Sequence, residues 1–295
     1  MTIRTDALTG AHVAVASHRQ ARPNLPTGGC PFCVGGVEAP DPYDVRSFVN
    51  RWPSLGDDRC EVVLFSPDHE ASLGGLGAAG VRRVVDLWAE RTAALGARPD
   101  IGYVLVFENR GADAGATISH PHGQIYAYPD VPDVPACELQ RAARDGCALC
   151  AEVPGPRLVS TAGAGDAAWQ AWVPWASPHP YGLVLAPERH LPDLPTLDDA
   201  ARDAFATVLA DTLSRLDRAF GAAVPYMLWV HQQPAQGGPW PQAHVHAEIV
   251  PLWRAPGVMR YVAGAELGSG WFVNSVDPDD AAATLRAATD PGAPA

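Results

Sequence analysis

The chain carries the same ordered set of cysteines and histidines twice. Each set begins with a C-x-x-C pair, continues to a single histidine after an apolar run, and closes on a His-x-His triplet. The two sets are Cys30, Cys33, His69 and His120-Pro121-His122, then Cys147, Cys150, His190 and His244-Val245-His246. The intervals agree, because Cys33 to His69 spans 36 residues and Cys150 to His190 spans 40. The repeat predicts two copies of one structural unit.

Each half also has the same order of secondary-structure patterns. In the first half, Val81, Val84, Val85 and Trp88 recur at helical spacing, and a β-rich run at 101–109 follows. The second half has a helical stretch near 197–220 and a β-rich run at 224–230. The segment PDVPDVP breaks regular structure between the halves. We therefore predict an α+β fold of two tandem modules, residues 1–135 and 136–295, each with an antiparallel sheet and a long helix.

The repeated donors favour two tetrahedral zinc sites. Two thiolates and two imidazoles are a common zinc ligand set, and metal binding of this kind contributes folding free energy. A single C-x-x-C pair is also typical of redox sites, but the repeated Cys-Cys-His-His order favours zinc. The expected ligands are Cys30, Cys33, His69 and His120 in the first half, and Cys147, Cys150, His190 and His244 in the second.

The second histidine of the first triplet is a candidate nucleophile. Residues i and i+2 of a strand project to the same face, and Pro121 restricts the backbone between the two histidines. A metal-bound His120 would then present His122 from a rigid backbone, and an imidazole held in this way can act as a nucleophile. From the residues alone, a role for His122 as a further ligand stays open.

Charge and hydropathy exclude several classes of function. The formal net charge of −12 argues against broad binding to nucleic-acid phosphates. The sequence has no apolar run of membrane-spanning length and no secretory signal pattern at its start, so we expect a cytoplasmic protein that binds no membrane. Arg19 and Arg22 form a local basic cluster, which by itself is typical of solvated surface.

The segment FENRGADAGATISHPHGQIYAYP (107–129) resembles the active-site segment of the galactose-1-phosphate uridylyltransferase family, in the histidine-triad superfamily. LTGAHVAVASHRQARP, CPFC, FVNRWPSL, VVLFSPDH and GVMRYVAGAEL add to the resemblance in the family's order. It implies histidine-triad-like modules. It also implies that His122 carries a uridylyl group between UDP-hexose and hexose-1-phosphate. Gln124 would then hydrogen-bond the transferred phosphoryl group, which favours transfer over hydrolysis.

Further site residues are implied by the resemblance one at a time. They are Arg19, Arg22, Asn109 and Thr117 at the phosphates, Phe48, Asn50 and Val62 at the uridine, and Arg260 at the incoming sugar phosphate. Some relatives bind iron through positions that match Glu138, His231, His244 and His246, so iron is the alternative for the second site. The family commonly forms homodimers, and we expect one here.

Two departures from the family pattern leave other functions open. Arg51 replaces an acidic residue of the ribose pocket, and Ala265 replaces a tyrosine at the sugar. Arg51 and the two C-x-x-C pairs keep an adenylyltransferase or nucleotide-sugar phosphorylase of the same superfamily as an alternative, and Ala265 leaves the choice of hexose open. A zinc-stapled nucleotide-binding module without catalysis is a third possibility.

Overall fold

Nine strands form one antiparallel sheet in the computed structural model, which describes residues 2–21, 29–56 and 58–289. Along the chain the strands are β1 (Thr2–Thr5), β2 (His12–Val15), β3 (Arg46–Val49), β4 (Cys60–Leu64), β5 (Tyr103–Arg110), β6 (His122–Tyr128), β7 (Leu158–Ala162), β8 (Trp169–Trp172), β9 (Leu183–Pro187), β10 (Tyr226–His231), β11 (His246–Pro251), β12 (Trp253–Ala255) and β13 (Val258–Met259). The pairs β1–β2 and β12–β13 form separate two-stranded sheets.

The order of the strands in the large sheet repeats between the halves. The sheet runs β3-β4-β6-β5-β10-β11-β9-β8-β7. The first half supplies β3-β4-β6-β5, and the second half supplies the same arrangement in reverse, β10-β11-β9-β8, with β7 added at the edge. The two copies meet where β5 pairs antiparallel with β10. The predicted duplication is therefore visible in the topology, and the two predicted sheets are joined into one.

The helices are α1 (Gly77–Gly96), α2 (Asp133–Asp145), α3 (Ala148–Ala151), α4 (Asp199–Phe220), α5 (Gly264–Ser269) and α6 (Pro278–Ala287). The two long helices, α1 and α4, are those that the periodicity predicts. The Asp198 side chain caps α4 by accepting a hydrogen bond of 2.9 Å from the Ala201 amide. The helix ends at Gly221, whose positive φ of 66° is a conformation that glycine adopts easily.

The long helices cover one face of the sheet. The predicted apolar residues of α1 are buried in the main core cluster, together with residues of α4 and of strands from both halves. Along β6, buried and partly exposed residues alternate, so that Gly123, Ile125 and Ala127 face this core. His122 and Gln124 lie on the opposite face. The predicted catalytic side chains therefore lie on the side of the sheet away from α1 and α4.

The predicted division at 135/136 falls in the first turn of α2. Because the sheet and the main core cluster both include residues from either side of it, the division stays a prediction. In the part of the chain that the structure describes, no helix has the length and apolar character needed to cross a membrane.

One buried acid gives the fold a pH dependence that can be measured. Glu108 is 3% exposed and accepts a hydrogen bond of 2.7 Å from the Tyr226 hydroxyl. Arg110, on the same strand, is already paired with Asp217 at 2.7 Å. Burial raises the pKa of Glu108 from its ordinary 4.5 to about 7, against the lowering effects of Tyr226 and Arg110. Between these two pH values the folded protein holds a proton that the unfolded chain has released, so stability falls as the pH rises.

We expect Glu108→Gln to remove this fall while it keeps the side-chain volume. The loss of stability between pH 4 and pH 8 should shrink by about 3 kcal/mol, the free energy that corresponds to a rise of the Glu108 pKa from 4.5 to about 7. Urea denaturation of both proteins at the two pH values measures this difference. An unchanged difference in the variant would mean that Glu108 does not titrate in this window.

Candidate active site and metal clusters

The first C-x-x-C turn lies against two histidines that are distant in sequence. The Cys33 Sγ is 3.5 Å from His69 Nδ1 and 3.6 Å from His120 Nδ1. Cys33, His69 and His120 group with Cys30 as four ligands that could hold one metal ion. In a tetrahedral zinc site, with Zn–S of about 2.3 Å and Zn–N of about 2.0–2.1 Å, sulfur and nitrogen ligands lie about 3.5 Å apart. The observed distances therefore fit zinc.

The orientation of His120 also suits a metal ligand. The imidazole is fully buried, and its Nε2 donates a hydrogen bond of 2.8 Å to the Ser66 carbonyl. That bond leaves the Nδ1 lone pair directed at the cysteines. Burial lowers the pKa of His120, which favours the neutral form that binds metals.

His122 is the first residue of β6, and a hydrogen bond to the backbone shows which of its ring nitrogens carries the proton. Its Nδ1 lies 2.8 Å from the His120 carbonyl oxygen, which can only accept a hydrogen bond. The ring proton is therefore on Nδ1, and the lone pair is on Nε2. The next residue must be glycine, since a Cβ at Gly123 would lie 2.8 Å from the Phe65 ring and 2.9 Å from the Phe107 carbonyl oxygen.

The predicted uridine and phosphoryl residues lie in one row across the sheet. Phe48 pairs with Val62, and Val62 pairs with Gln124. Directly opposite residues of antiparallel strands share a face, so these side chains lie side by side. Asn50 extends the group, since its amide nitrogen donates to Gln124 Oε1 at 3.4 Å. The structure thus brings together four residues that the resemblance places in the nucleotide site.

Sequence reasoning missed Tyr126 and Ser54, which belong to the same group. The Tyr126 hydroxyl donates to Gln124 Oε1 at 3.4 Å and lies 3.0 Å from the Ser54 hydroxyl. The predicted phosphate ligand Arg19 donates to the same Tyr126 oxygen at 3.4 Å. Strand alternation could have indicated Tyr126, because it stands two residues after Gln124 on β6.

The remaining predicted phosphate residues are placed as follows. Asn109 and Thr117 line a cavity of about 680 Å³ together with His122. Arg22 lies outside the described residues. Arg260 is ion-paired with Glu266, and both side chains are nearly buried. The side-chain hydrogen bonds found for Arg260 in the described chain go to Glu266, Tyr261 and Pro178, so its predicted role toward a sugar phosphate stays a prediction.

The second C-x-x-C turn repeats the geometry of the first. His244 Nδ1 lies 3.3 Å from Cys147 Sγ and 3.4 Å from Cys150 Sγ, and His190 Nδ1 lies 3.2 Å from Cys150 Sγ. His244 Nε2 donates to the Pro187 carbonyl at 3.1 Å, as His120 does to Ser66. Burial, followed by the neighbouring His190, lowers the pKa of His244 to about 4. These four residues form a second group of ligand atoms compatible with zinc.

The other donors of the second half form a third group. Glu138, His231, His246 and Glu248 place their ligand atoms within 4.8 Å of one another. His231 Nδ1 lies 2.9 Å from Glu138 Oε2. The alternative iron ligands are therefore divided in this structure, with His244 among the cysteines and Glu248 beside the other three. His246 keeps the bond seen at His122, since its Nδ1 lies 2.9 Å from the His244 carbonyl oxygen.

Comparison with known proteins identifies the family of this chain. The family described as "Galactose-1-phosphate uridyl transferase, N-terminal domain" matches residues 48–132. The Thermotoga maritima galactose-1-phosphate uridylyltransferase is 31% identical over 97% of this chain and 98% of its own length. A solved structure described as "Structure of uridylyltransferase" superposes with a TM-score of 0.87 and 30% identity, over 98% of both chains. An Arabidopsis thaliana ADP-glucose phosphorylase with bound ADP-glucose superposes with a TM-score of 0.77 and 25% identity, over 97% of this chain and 98% of its own. The chain belongs to the galactose-1-phosphate uridylyltransferase family.

Proposed function

We propose that the protein exchanges UMP between UDP-glucose and galactose-1-phosphate in galactose metabolism, through a covalent uridylyl-His122 intermediate. The observation that carries the proposal is the hydrogen bond between His122 Nδ1 and the His120 carbonyl. It places the ring proton on Nδ1 and the lone pair on Nε2, in a ring that lines a cavity together with Asn109 and Thr117. Membership of the family supports the substrate class.

In the first half-reaction, His122 Nε2 attacks the α-phosphorus of UDP-glucose. A nitrogen–phosphorus bond forms as the bond from the α-phosphorus to the bridging oxygen breaks, and glucose-1-phosphate leaves with the bonding electrons. The second pKa of a phosphate monoester is about 6, so this leaving group needs little help from a general acid. Galactose-1-phosphate then attacks the uridylyl phosphorus, and the nitrogen–phosphorus bond breaks to release UDP-galactose.

Gln124 binds the transferred phosphoryl group without moving a proton. Its amide oxygen accepts hydrogen bonds from Asn50 and Tyr126, which leaves its NH₂ group to donate to a phosphoryl oxygen. An amide cannot act as a general base at neutral pH, so Gln124 cannot activate water against the intermediate. Arg19, close to the Tyr126 hydroxyl, and Thr117, in the cavity, supply further positive charge and hydrogen bonding. By the resemblance Arg22 acts with Arg19.

We further propose that the two cysteine–histidine clusters hold zinc. The sulfur–nitrogen distances of both clusters fit a tetrahedral zinc site. The ligand type supports the same assignment, because thiolates favour zinc over iron. Zinc would supply structural cross-linking at both sites, and the first site would fix the backbone that carries His122. The third group offers two carboxylates and two imidazoles, a set better suited to a harder divalent ion such as iron.

The second cluster yields a prediction about metal content. Purified protein should contain about two zinc ions per chain, and Cys147→Ser should lose one of them and keep the other. Plasma emission spectrometry measures the count, and anomalous scattering at the zinc edge locates the ions. A zinc ion bound by Glu138, His231 and His246, with both cysteines unligated, would refute the proposed ligand set.

A nucleotide-sugar phosphorylase is the second candidate function. The fold similarity to the ADP-glucose phosphorylase favours it, as does Arg51, which forms an ion pair of 2.9 Å with Glu38 near the proposed ribose site. Assays with matched substrate pairs separate the two candidates. We expect UDP-glucose with galactose-1-phosphate to react at least about tenfold faster than ADP-glucose with inorganic phosphate. The reverse order would establish the phosphorylase.

We also propose that the enzyme is a cytoplasmic homodimer. Thiol ligands persist in a reducing compartment. Large apolar side chains are exposed along 258–273, with Tyr261 at 81%, Leu267 at 76% and Trp271 at 83%. An apolar stretch of this kind is typical of a contact surface, here for a second copy. Sedimentation equilibrium should give twice the chain mass, and a monomer at micromolar concentration would refute the proposal.

A further inference from the structure

Phe32 lies between Cys30 and Cys33 in the first C-x-x-C turn, here called the first metal turn, and contacts the proposed nucleophile His122. Its side chain is 5% exposed. Its ring centroid lies 5.1 Å from that of His122, with an angle of 62° between the ring planes. The same ring lies 6.1 Å from His120 and 5.8 Å from Phe48. The Phe32 ring therefore contacts a residue of the proposed metal cluster, the proposed nucleophile and a residue of the proposed nucleotide pocket.

The hydrogen bond from Nδ1 does not by itself fix the His122 ring. The terminal χ2 angle of histidine has a broad energy well, so the tilt of the ring also depends on the groups that pack against it. Phe32 packs against the ring at an angle typical of edge-to-face aromatic pairs. Phe32 is itself held in a small core cluster with Val62 and Leu64. Contact with such a fixed ring restricts the direction in which Nε2 points.

We propose that Phe32 is a positioning residue, whose ring holds the His122 imidazole in the orientation required for attack on the α-phosphorus. The inference rests on the proposed function, since it concerns the same half-reaction. Small displacements of a nucleophile slow a reaction strongly, by about 100-fold for about 1 Å. Because Phe32 lies in the first C-x-x-C turn, a metal ion held by that turn would also restrict the position of the Phe32 ring.

The second half of the chain provides an internal comparison. Leu149 stands between Cys147 and Cys150, where Phe32 stands in the first half. His246 keeps the hydrogen bond to the preceding histidine carbonyl, but the aromatic ring against it is His231, at 5.3 Å. The repeat therefore keeps the metal turn and the hydrogen bond without a phenylalanine. The phenyl ring distinguishes the half that carries the proposed nucleophile.

The test compares single-turnover uridylylation by the wild type, Phe32→Leu, Phe32→Met and Phe32→Tyr. UDP-glucose is the probe, and intact mass spectrometry after rapid quenching follows the covalent adduct. Leu and Met fill the core without a ring, so two variants are available if one folds poorly.

We expect the rate of adduct formation to fall about 10- to 100-fold in both, with zinc content unchanged and the Kd for UDP-glucose within about threefold. Phe32→Tyr should keep a rate close to that of the wild type. The matched control, Leu149→Met, should react like the wild type.

The outcomes are distinguishable. Absence of an adduct in the wild type would overturn the proposed function, and this inference with it. An adduct that forms at the wild-type rate in folded Phe32→Leu or Phe32→Met would overturn the positioning role alone. Loss of zinc in parallel with the rate would assign Phe32 to the metal turn and would also overturn direct positioning.

Discussion

His122→Ala is expected to abolish UMP exchange, with a loss of about four orders of magnitude or more, as is typical when a covalent nucleophile is removed. The physical reason is that the proposed intermediate needs a nitrogen–phosphorus bond, which an alanine side chain cannot form. Neighbouring amides and hydroxyls can bind the phosphoryl group but cannot replace that bond. The assay is the conversion of UDP-glucose and galactose-1-phosphate to glucose-1-phosphate.

The fold and the first metal cluster should survive the loss of His122. The His122 side chain is not among the grouped ligand atoms, and it is bonded to a backbone carbonyl. His122→Gln is the matched variant, because it keeps a polar side chain of similar size without a nucleophilic nitrogen. Both variants should retain wild-type zinc content and a similar Tm. Normal turnover in either, or loss of one zinc ion, would contradict the assignment.

Cys30→Ser should destabilise the first half and reduce activity together. Removal of one ligand weakens a site of a kind that contributes about 10–16 kcal/mol of apparent binding free energy in small zinc domains, so a loss of several kcal/mol is expected. Activity falls because the same cluster holds His120, whose carbonyl oxygen accepts the hydrogen bond from His122. Zinc content and thermal unfolding measure the effect.

Cys137→Ser is the control for this prediction, since Cys137 is an exposed free thiol outside the cysteine–histidine clusters. It should leave zinc content, Tm and turnover unchanged. If Cys30→Ser behaves like the control, the first cluster holds no structural metal.

Much of the architecture follows from local patterns in the sequence. The spacing of Val81, Val84, Val85 and Trp88 predicts α1, and the structure buries all four. Both metal groups follow from the repeated order of cysteines and histidines, since a repeated unit places equivalent residues equivalently. The pairing of β5 with β10 could not be predicted, because the residue pattern of a strand does not indicate which distant strand it pairs with.

The site was predictable in its chemistry but not in its contacts. Spacing alone cannot show which nitrogen of His244 faces the cysteines, and so it left the cysteine and iron sets in competition. In the structure, Nε2 is bonded to the Pro187 carbonyl and Nδ1 faces the thiols, which separates the two groups. Phe32 gave no signal of its own, because a phenylalanine inside a C-x-x-C turn has no periodicity, and its contact with His122 depends on how the turn folds onto the sheet.

The central claim is that His122 carries a uridylyl group, and the most direct test is the mass of the protein after brief exposure to UDP-glucose alone. The account predicts a species heavier by one uridylyl group, with fragmentation placing the group on His122. The adduct should disappear when galactose-1-phosphate is added. A protein that turns over UDP-glucose and galactose-1-phosphate but never carries the adduct, or carries it on another residue, would contradict the claim.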